Sequence, residues 1–277
     1  MDRRIRHQIR MHLESQGISR TIIQAPPMQF PLKIATWNLN GLRARAAQLL
    51  EYVETEKPDV LCLQEIRVTH EQIPMDLFAL PGYACYWHGG GKGYSGVALL
   101  IAERLGQPTF SHPDFDFESR IVNALVGELS ITSVYVPNGG KDLEAKERFL
   151  EQLKQFLAQQ TAPHVLLAGD LNIARSAMDV HPKERKAKPV IGQLPEEREW
   201  FTQVLAQGFS DVQRQLYPDD DRLFSWWAPW RELRQKNIGW RIDYILASSN
   251  LAARASECLS QREFGTSDHA PVVATFA

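Results

Sequence analysis

Cysteine is scarce. Cys62, Cys85 and Cys258 are the three in 277 residues, too few and too scattered for a disulfide framework or a zinc cluster. They read as reduced thiols of an intracellular protein. Long apolar runs are also missing: none approaches the roughly 20 residues of a membrane helix, so the chain is not expected to span a bilayer. Neither sign of charge dominates, with 31 Lys and Arg against 33 Asp and Glu, a formal net charge of −2. A strong basic field over the whole molecule is therefore excluded, although a local basic face can coexist with an acidic remainder. No linker rich in Gly, Ser or Pro divides the chain, and no short-period repeat is visible. The Gly-x-x-x-x-Gly-Lys phosphate loop, the Gly-x-Ser-x-Gly elbow and zinc-type Cys/His spacings are absent too.

What is present is an ordinary globular mixture, 44% hydrophobic and 23% charged, long enough for one large domain or two small ones with a full core. Residues 1–27 differ from the rest. Arg3, Arg4, Arg6, Arg10 and Arg20 face only Asp2 and Glu14, and the segment ends at Pro26-Pro27. No apolar signal-peptide core follows, so secretion is not expected. A basic arm, a targeting peptide and a misassigned start are the three readings. Met28 stands just before the first clear strand, and we rank an inert or misassigned, disordered extension first.

From Leu32 onward, short Val-, Ile- and Leu-rich runs alternate with helical patterns. Strands are expected at Leu32–Trp37, Val60–Leu63, Gly96–Ile101, Ile121–Val126, Ser130–Val136, Val165–Ala168, Ile242–Ala247 and Pro271–Phe276. Helices are expected at Leu42–Glu56 and Leu143–Gln159, where Phe149, Leu150, Leu153, Phe156 and Leu157 keep helical period. A third starts near Pro195, with Glu196 and Glu197 in its first turn and Trp200, Phe201, Val204 and Leu205 inward. This alternation predicts a layered α/β or α+β domain. His181–Lys188 reads as a long surface loop, and a lone histidine such as His88 or His164 as a surface or turn residue.

The chemistry sits where strands end. Asn38-Leu39-Asn40-Gly41, Gln64-Glu65, Tyr135-Val136-Pro137-Asn138 and Gly169-Asp170-Leu171-Asn172 each follow or close an expected strand. Asp243 begins another, and Ser267-Asp268-His269 precedes the last. One Asp or Asn after a strand is a turn or cap. Several together, with no rival chemistry, mark a ligand edge. Carboxylates and amides without thiolates suit a hard cation such as Mg²⁺ or Mn²⁺, with Glu65 the best single ligand. A hard metal, a spare carboxylate for water and a histidine donor form a phosphodiester hydrolysis kit. The run His88-Gly89-Gly90-Gly91-Lys92-Gly93 opens no helix and reads as a flexible loop.

Read in order, Trp37-Asn38-Leu39-Asn40-Gly41-Leu42-Arg43, Leu63-Gln64-Glu65, Gly93-Tyr94-Ser95-Gly96-Val97, Tyr135-Val136-Pro137-Asn138-Gly139, Gly169-Asp170-Leu171-Asn172-Ile173-Ala174, Gly239-Trp240-Arg241-Ile242-Asp243-Tyr244 and Ser267-Asp268-His269-Ala270-Pro271 resemble the exonuclease III family of apurinic/apyrimidinic endonucleases. That family lies in the endonuclease/exonuclease/phosphatase superfamily. The resemblance covers roughly residues 32–277 and implies a catalytic domain over 28–277. It implies a four-layer α/β sandwich of two mixed sheets flanked by helices. It also implies Mg²⁺- or Mn²⁺-dependent cleavage of double-stranded DNA 5′ to abasic sites, with 3′-exonuclease and 3′-phosphodiesterase activity on blocked ends.

By the same resemblance, Glu65 is the principal metal ligand, with Asn38 and Asp268 nearby and Asp170, Asn172 and His269 around the ion. Asp170 positions or deprotonates the attacking water and Asn172 holds it. His269, oriented by Asp243, binds the scissile phosphate, and Tyr135 contacts it or assists the leaving oxygen. Asn138 lines the site. Trp226, Trp240 and Ile242 wall a pocket for the bare sugar, Gly192 leaves it room, and Lys141 and Trp230 push into the duplex. Arg43, Arg67, Lys141 and Arg241 are the candidates for a basic face. Arg67 stands where many relatives have Lys, and Asn40 where some have Asp. The alternatives are a phosphoesterase of the same superfamily acting on a lipid or inositol phosphate, a nuclease restricted to 3′-end processing, and a non-catalytic DNA-binding relative; the run Phe224-Ser225-Trp226-Trp227-Ala228-Pro229-Trp230 resembles DNA-facing parts, against the first, and the presence of Glu65, Asp170, Asn172, Asp243 and His269 stands against the last. The segment Leu194–Trp200 has a bacterial look. We therefore expect a monomer in the cytoplasm, associated with the nucleoid and with no membrane partner.

Overall fold

A computed structural model describes residues 28–90 and 93–277. The expectation for the N-terminal extension lies outside the described residues. Strands β1 (Leu32–Asn38), β2 (Val60–Gln64), β3 (Tyr83–His88), β4 (Val97–Ala102), β11 (Ala255–Ser260) and β12 (Val272–Phe276) form one mixed sheet, in the order β11-β12-β1-β2-β4-β3. Strands β5 (Thr109–Ser111), β6 (Ile121–Val126), β7 (Leu129–Tyr135), β8 (His164–Asp170), β9 (Phe209–Asp211) and β10 (Asp243–Ser248) form the other, in the order β5-β6-β7-β8-β10-β9. β1–β2 and β7–β8 pair in parallel; β1–β12 and β8–β10 are antiparallel.

Strand alternation sorts the side chains into layers, because successive residues face opposite sides of a sheet. Leu32, Ile34, Val60, Cys62, Leu129, Ile131, Leu166, Ala168, Ile245 and Ala247 meet between the sheets. Their alternates Ala35, Trp37, Leu61 and Leu63 pack on helix α1 (Leu42–Glu56) through Leu42, Leu49, Tyr52 and Val53. Val134, Val165, Leu167, Tyr244 and Leu246 pack on helix α2 (Leu143–Ala158) and helix α3 (Pro195–Ala206) through Phe149, Leu150, Leu153, Trp200, Phe201 and Val204. The four-layer α/β sandwich is therefore the observed fold. The Asp142 carboxylate caps α2 by accepting from the Ala145 N–H at 2.9 Å. Cys62 and Cys258 are buried free thiols and Cys85 is a half-buried one. Among the described residues no helix is long and apolar enough to cross a membrane.

Two expectations need correction. His88 is not a solitary surface residue: its Nε2 lies 2.6 Å from Asp116 Oδ2. The glycine run is not merely a loose loop where it is described. A Cβ on Gly90 would stand 1.8 Å from the Tyr94 carbonyl oxygen, so this backbone is closely packed.

Candidate active site

The layer between the sheets is apolar along most of its length and turns polar at one end. Thr36 and Gln64 occupy the next inward positions on β1 and β2, and the Thr36 hydroxyl donates to Gln64 Oε1 at 3.1 Å. Gln64 Nε2 reaches Ser133 Oγ on the opposite sheet at 3.3 Å. One step further come Asn38 on β1 and a row across the second sheet, where Tyr135, Asp170 and Asp243 are direct register partners. Alternation alone thus aims all four into the same space. Gly169 permits the close strand approach there: its φ is +153°, and a Cβ would lie 1.9 Å from the Val134 carbonyl oxygen.

Asp170 is buried and held on both oxygens. Oδ1 accepts from the Asn172 backbone N–H at 2.8 Å, and Oδ2 accepts from Asn38 Nδ2 at 3.0 Å and Asn172 Nδ2 at 3.3 Å. His269 stands between two carboxylates. Its Nδ1 donates to Asp243 Oδ2 at 2.9 Å, and its Nε2 faces Asp170 Oδ2 at 3.9 Å. Ser225 donates to Asp243 Oδ2 at 2.7 Å and accepts from the Ile242 and Asp243 N–H groups, which fixes the carboxylate. Ser267 ties the His269 segment to β1 by donating to the Asn38 carbonyl at 2.7 Å.

Burial pushes the Asp170 carboxyl up, to about 7, and the Asp243 charge adds to the rise while His269 opposes it. For His269, burial disfavours the cation, but Asp243, Asp170 and Asp268 outweigh it and lift the imidazole to about 10. The imidazolium is therefore the form present at neutral pH.

Glu65 reaches the site by breaking alternation. Strict period two would send it to the helix-covered face with Leu61 and Leu63. Its left-handed φ of +48° instead lets the carboxylate accept from the Tyr135 hydroxyl. Asn40, Arg67 and Asn172 are also left-handed, with φ of 46°, 52° and 51°; backbone of this kind is costly and concentrates at functional sites. Arg67 pairs with the other oxygen of Glu65 at 2.5 Å. Burial pushes the Tyr135 phenol up and the Glu65 charge adds to it, so it stays a hydrogen donor. The Arg120 guanidinium lies 4.8 Å from the Tyr135 ring centroid and backs it. Asp268 accepts from Asn40 Nδ2 at 2.7 Å and from Trp226 Nε1 at 3.0 Å. Burial raises its pKa, but His269 and these two donors leave it below the ordinary value.

These donors fit a hard cation. Glu65, Asp268, Asp170 and Asn38 offer carboxylate and amide oxygens and no thiolate. Asp170, Asp243 and His269 also place one ligand atom each within 4.8 Å of one another.

Beside this end stands an aromatic wall. Trp226 and Trp240 meet edge to face with centroids 5.8 Å apart, and Trp226 lies 6.4 Å from the His269 ring. Trp240 Nε1 is buried without a hydrogen-bond partner, an orphan donor at the wall. Gly192 closes the same corner: a Cβ there would stand 3.2 Å from both Trp240 Cζ3 and the Asn172 carbonyl oxygen. Ile242 is buried. Trp230 is 60% exposed and lines a groove with Asn40, Arg45 and Asp268. Lys141 is exposed at the start of α2. Asn138 is exposed, and its Oδ1 accepts from the Gly140 N–H at 3.0 Å. Arg43 and Arg67 are exposed. Arg241 is not part of any basic face. It is fully buried, pairing with Asp179 at 2.6 Å and Asp211 at 2.8 Å.

A family model described as the Endonuclease/Exonuclease/phosphatase family matches residues 35–269. The chain belongs to this family. Its similarities to exonuclease III-like AP endonucleases place it in that branch. It is 35% identical to the zebrafish (Danio rerio) protein named DNA repair nuclease APEX1 over 252 residues, covering 87% of this chain and 81% of that one. It is 33% identical to the Bacillus subtilis protein named Exodeoxyribonuclease, over 87% of this chain and 98% of that one. The solved structure of an AP endonuclease from Archaeoglobus fulgidus superposes with a TM-score of 0.80 at 30% identity, over 88% of this chain and 99% of that one.

Two residues of this endonuclease/exonuclease/phosphatase member escaped the sequence reading. Lys146 on α2 and Glu197 on α3 are buried and form an ion pair at 2.5 Å, and Lys146 Nζ also donates to the Asn172 carbonyl at 2.8 Å. The signal was a charge on an apolar stripe. Lys146 lies three and four residues before Phe149 and Leu150, and Glu197 the same before Trp200 and Phe201.

Proposed function

We infer that this chain is a metal-dependent DNA-repair nuclease that hydrolyses the phosphodiester 5′ to abasic sites and also processes 3′ ends as an exonuclease and phosphodiesterase. The observation that carries this reading is the convergence of Glu65, Asp170, Asp268 and the Asp243–His269 pair at one polar end of the inter-sheet layer, beside the Trp226–Trp240 wall. Membership of the family, and relatives named as DNA-repair and deoxyribonuclease enzymes, support it.

Glu65, Asp268 and Asn38 would hold Mg²⁺ or Mn²⁺, with Asp170 and Asn172 beside it, while His269, as the imidazolium, offers the ion no lone pair; bound there, the ion would supply Lewis-acid stabilisation of negative charge on phosphate oxygens. Asp170, once ionised, accepts a hydrogen bond or proton from the attacking water, and the Asn172 side chain helps fix that water's place. The His269 imidazolium, held by Asp243, binds the scissile phosphate and offsets its growing charge. Tyr135 keeps its proton and donates it as a hydrogen bond to Glu65, to the phosphate or to the leaving oxygen.

Trp226, Trp240, Ile242 and Gly192 would shape a small pocket for the extruded abasic sugar, which leaves the stack at less cost than an intact nucleotide. Trp230 and Lys141 would brace the kinked duplex, with Asn138 near the rim. The chain acts as a monomer on double-stranded DNA, in a bacterial cytoplasm beside the nucleoid. A nicking assay with Mg²⁺ on abasic duplex, undamaged duplex and a phosphoinositide tests the reading. Incision of the abasic strand alone is expected; phosphoinositide turnover with intact abasic duplex would overturn it in favour of a non-DNA phosphoesterase.

A further inference from the structure

A second cluster of ligating side chains lies away from the catalytic carboxylates. The register row that carries Asn38 and Gln64 continues through Val97 to His88, the last residue of the edge strand β3. His88 Nε2 stands 2.6 Å from Asp116 Oδ2. His112 follows β5, the edge strand of the other sheet, and its ring centroid lies 4.0 Å from that of His88. One ligand atom from each of His88, His112 and Asp116 falls within 4.8 Å of the other two.

We propose that His88, His112 and Asp116 bind a borderline transition-metal ion of the Zn²⁺ class and so staple the edges of the two sheets together. Two imidazoles and one carboxylate suit zinc, cobalt or nickel, whereas Mg²⁺ prefers an all-oxygen shell. A plain His–Asp hydrogen bond accounts for His88 and Asp116 but not for a second imidazole whose ring centre lies 4.0 Å from the first, tilted by 44°.

The supporting contacts that ligands need are also built. Asp116 Oδ1 accepts from the Arg120 N–H at 2.8 Å, and the Tyr86 hydroxyl lies 2.6 Å from His112 Nε2. Ligand atoms on a tetrahedral zinc sit roughly 3.3 Å apart, given bonds of about 2.0–2.1 Å. Loading the ion therefore opens the His88–Asp116 contact modestly and replaces its shared proton, which passes to solvent. The loop holding Asp116 continues to Arg120, which backs Tyr135; the staple thus anchors a segment that supports the catalytic end. The proposal does not depend on the identity of the nucleic-acid substrate.

Zn²⁺ binding is measured by equilibrium dialysis in saturating Mg²⁺, together with thermal unfolding at each Zn²⁺ concentration. The wild-type chain is expected to take up a Zn²⁺ equivalent whose affinity falls at least tenfold in His112→Asn and in Asp116→Asn. That ion should raise the melting temperature of wild type and of Glu65→Gln but not of His112→Asn. His112 is exposed, so its variant should melt like wild type without metal. X-ray absorption on zinc-loaded wild type supplies a readout free of any variant: two imidazole ligands are expected. Fewer than two, or the same zinc affinity and melting shift in His112→Asn as in wild type, would overturn the proposal and place the ion at the catalytic carboxylates.

Discussion

The ammonium of Lys146 donates to the backbone carbonyl of Asn172 across 2.8 Å, while Glu197 neutralises it from the neighbouring helix. The charge pair thus holds the left-handed residue whose amide and N–H both engage Asp170. Breaking a buried pair from one side costs about 3–5 kcal/mol, whereas replacing both partners with apolar groups is often neutral. Lys146→Met should therefore lower both melting temperature and turnover. Lys146→Met combined with Glu197→Leu should recover most of the melting temperature and remain roughly tenfold or more below wild type in single-turnover rate. Recovery of both quantities would reduce the pair to a packing role.

Asp170, raised to about 7, loses its carboxylate as pH falls through that value; His269, raised to about 10, keeps its cation until pH climbs past it. The single-turnover rate on pre-bound abasic duplex should rise up to about pH 7 and decline only near pH 10. Asp243 raises both groups, so Asp243→Asn should shift both limbs to lower pH as well as slow the reaction. Limbs that stay in place in Asp243→Asn would show that other groups titrate.

Gly192 tests the aromatic wall. Even Gly192→Ala places a methyl 3.2 Å from Trp240 and from the Asn172 carbonyl at a φ of +88°. Abasic incision should fall, and Gly192→His should abolish it while removal of 3′-terminal groups persists. Trp240→Ala should lower abasic cleavage and relax discrimination against intact nucleotides, with Mg²⁺ dependence unchanged. Wild-type incision by Gly192→His would contradict the sugar pocket.

Salt dependence separates surface arginines from the buried one. Binding of abasic duplex should weaken with salt despite the net charge of −2. Lys141→Ala and Arg43→Ala should each lower the log–log slope by about one. Arg241→Met should instead lower the melting temperature, because it strands Asp179 and Asp211. Removing residues 1–27 should leave the slope as it is. Fluorescence anisotropy over a salt series measures the slopes, and thermal unfolding measures the effect of Arg241→Met.

The strands legible in the sequence are the interior ones. Each of the eight expected runs corresponds to a strand with two neighbours, within a residue or two at its ends. Tyr83–His88, Thr109–Ser111, Phe209–Asp211 and Ala255–Ser260 were missed, and these are the outermost strands of the two sheets. Interior strands such as Leu129–Tyr135 are buried along their length and supply short runs with Val, Ile and Leu at alternate or successive positions; edge strands such as Ala255–Ser260 are half exposed and carry Ser and Glu. The site shows a similar division. Asp170, Asp243 and Tyr135 follow from strand position alone. Glu65 joins them through a left-handed turn, and Lys146 through a pairing between helices, neither of which local pattern reports. Arg241 lies buried rather than on a basic face, and a basic residue just before a strand gives no local sign of the two carboxylates, Asp179 and Asp211, that pair with it.

The proposed mechanism puts Glu65 in a hard-cation site and gives Asp170 the attacking water. Single-turnover incision of a preformed abasic-duplex complex, followed across an Mg²⁺ titration for wild type, Glu65→Gln and Asp170→Asn, tests it most directly. Glu65→Gln should need at least tenfold more Mg²⁺ for half-maximal rate. Asp170→Asn should bind duplex normally and cut it roughly 10²-fold or more slower. Incision that ignores Mg²⁺, or near-normal cutting by Asp170→Asn with only a lowered melting temperature, would contradict the claim.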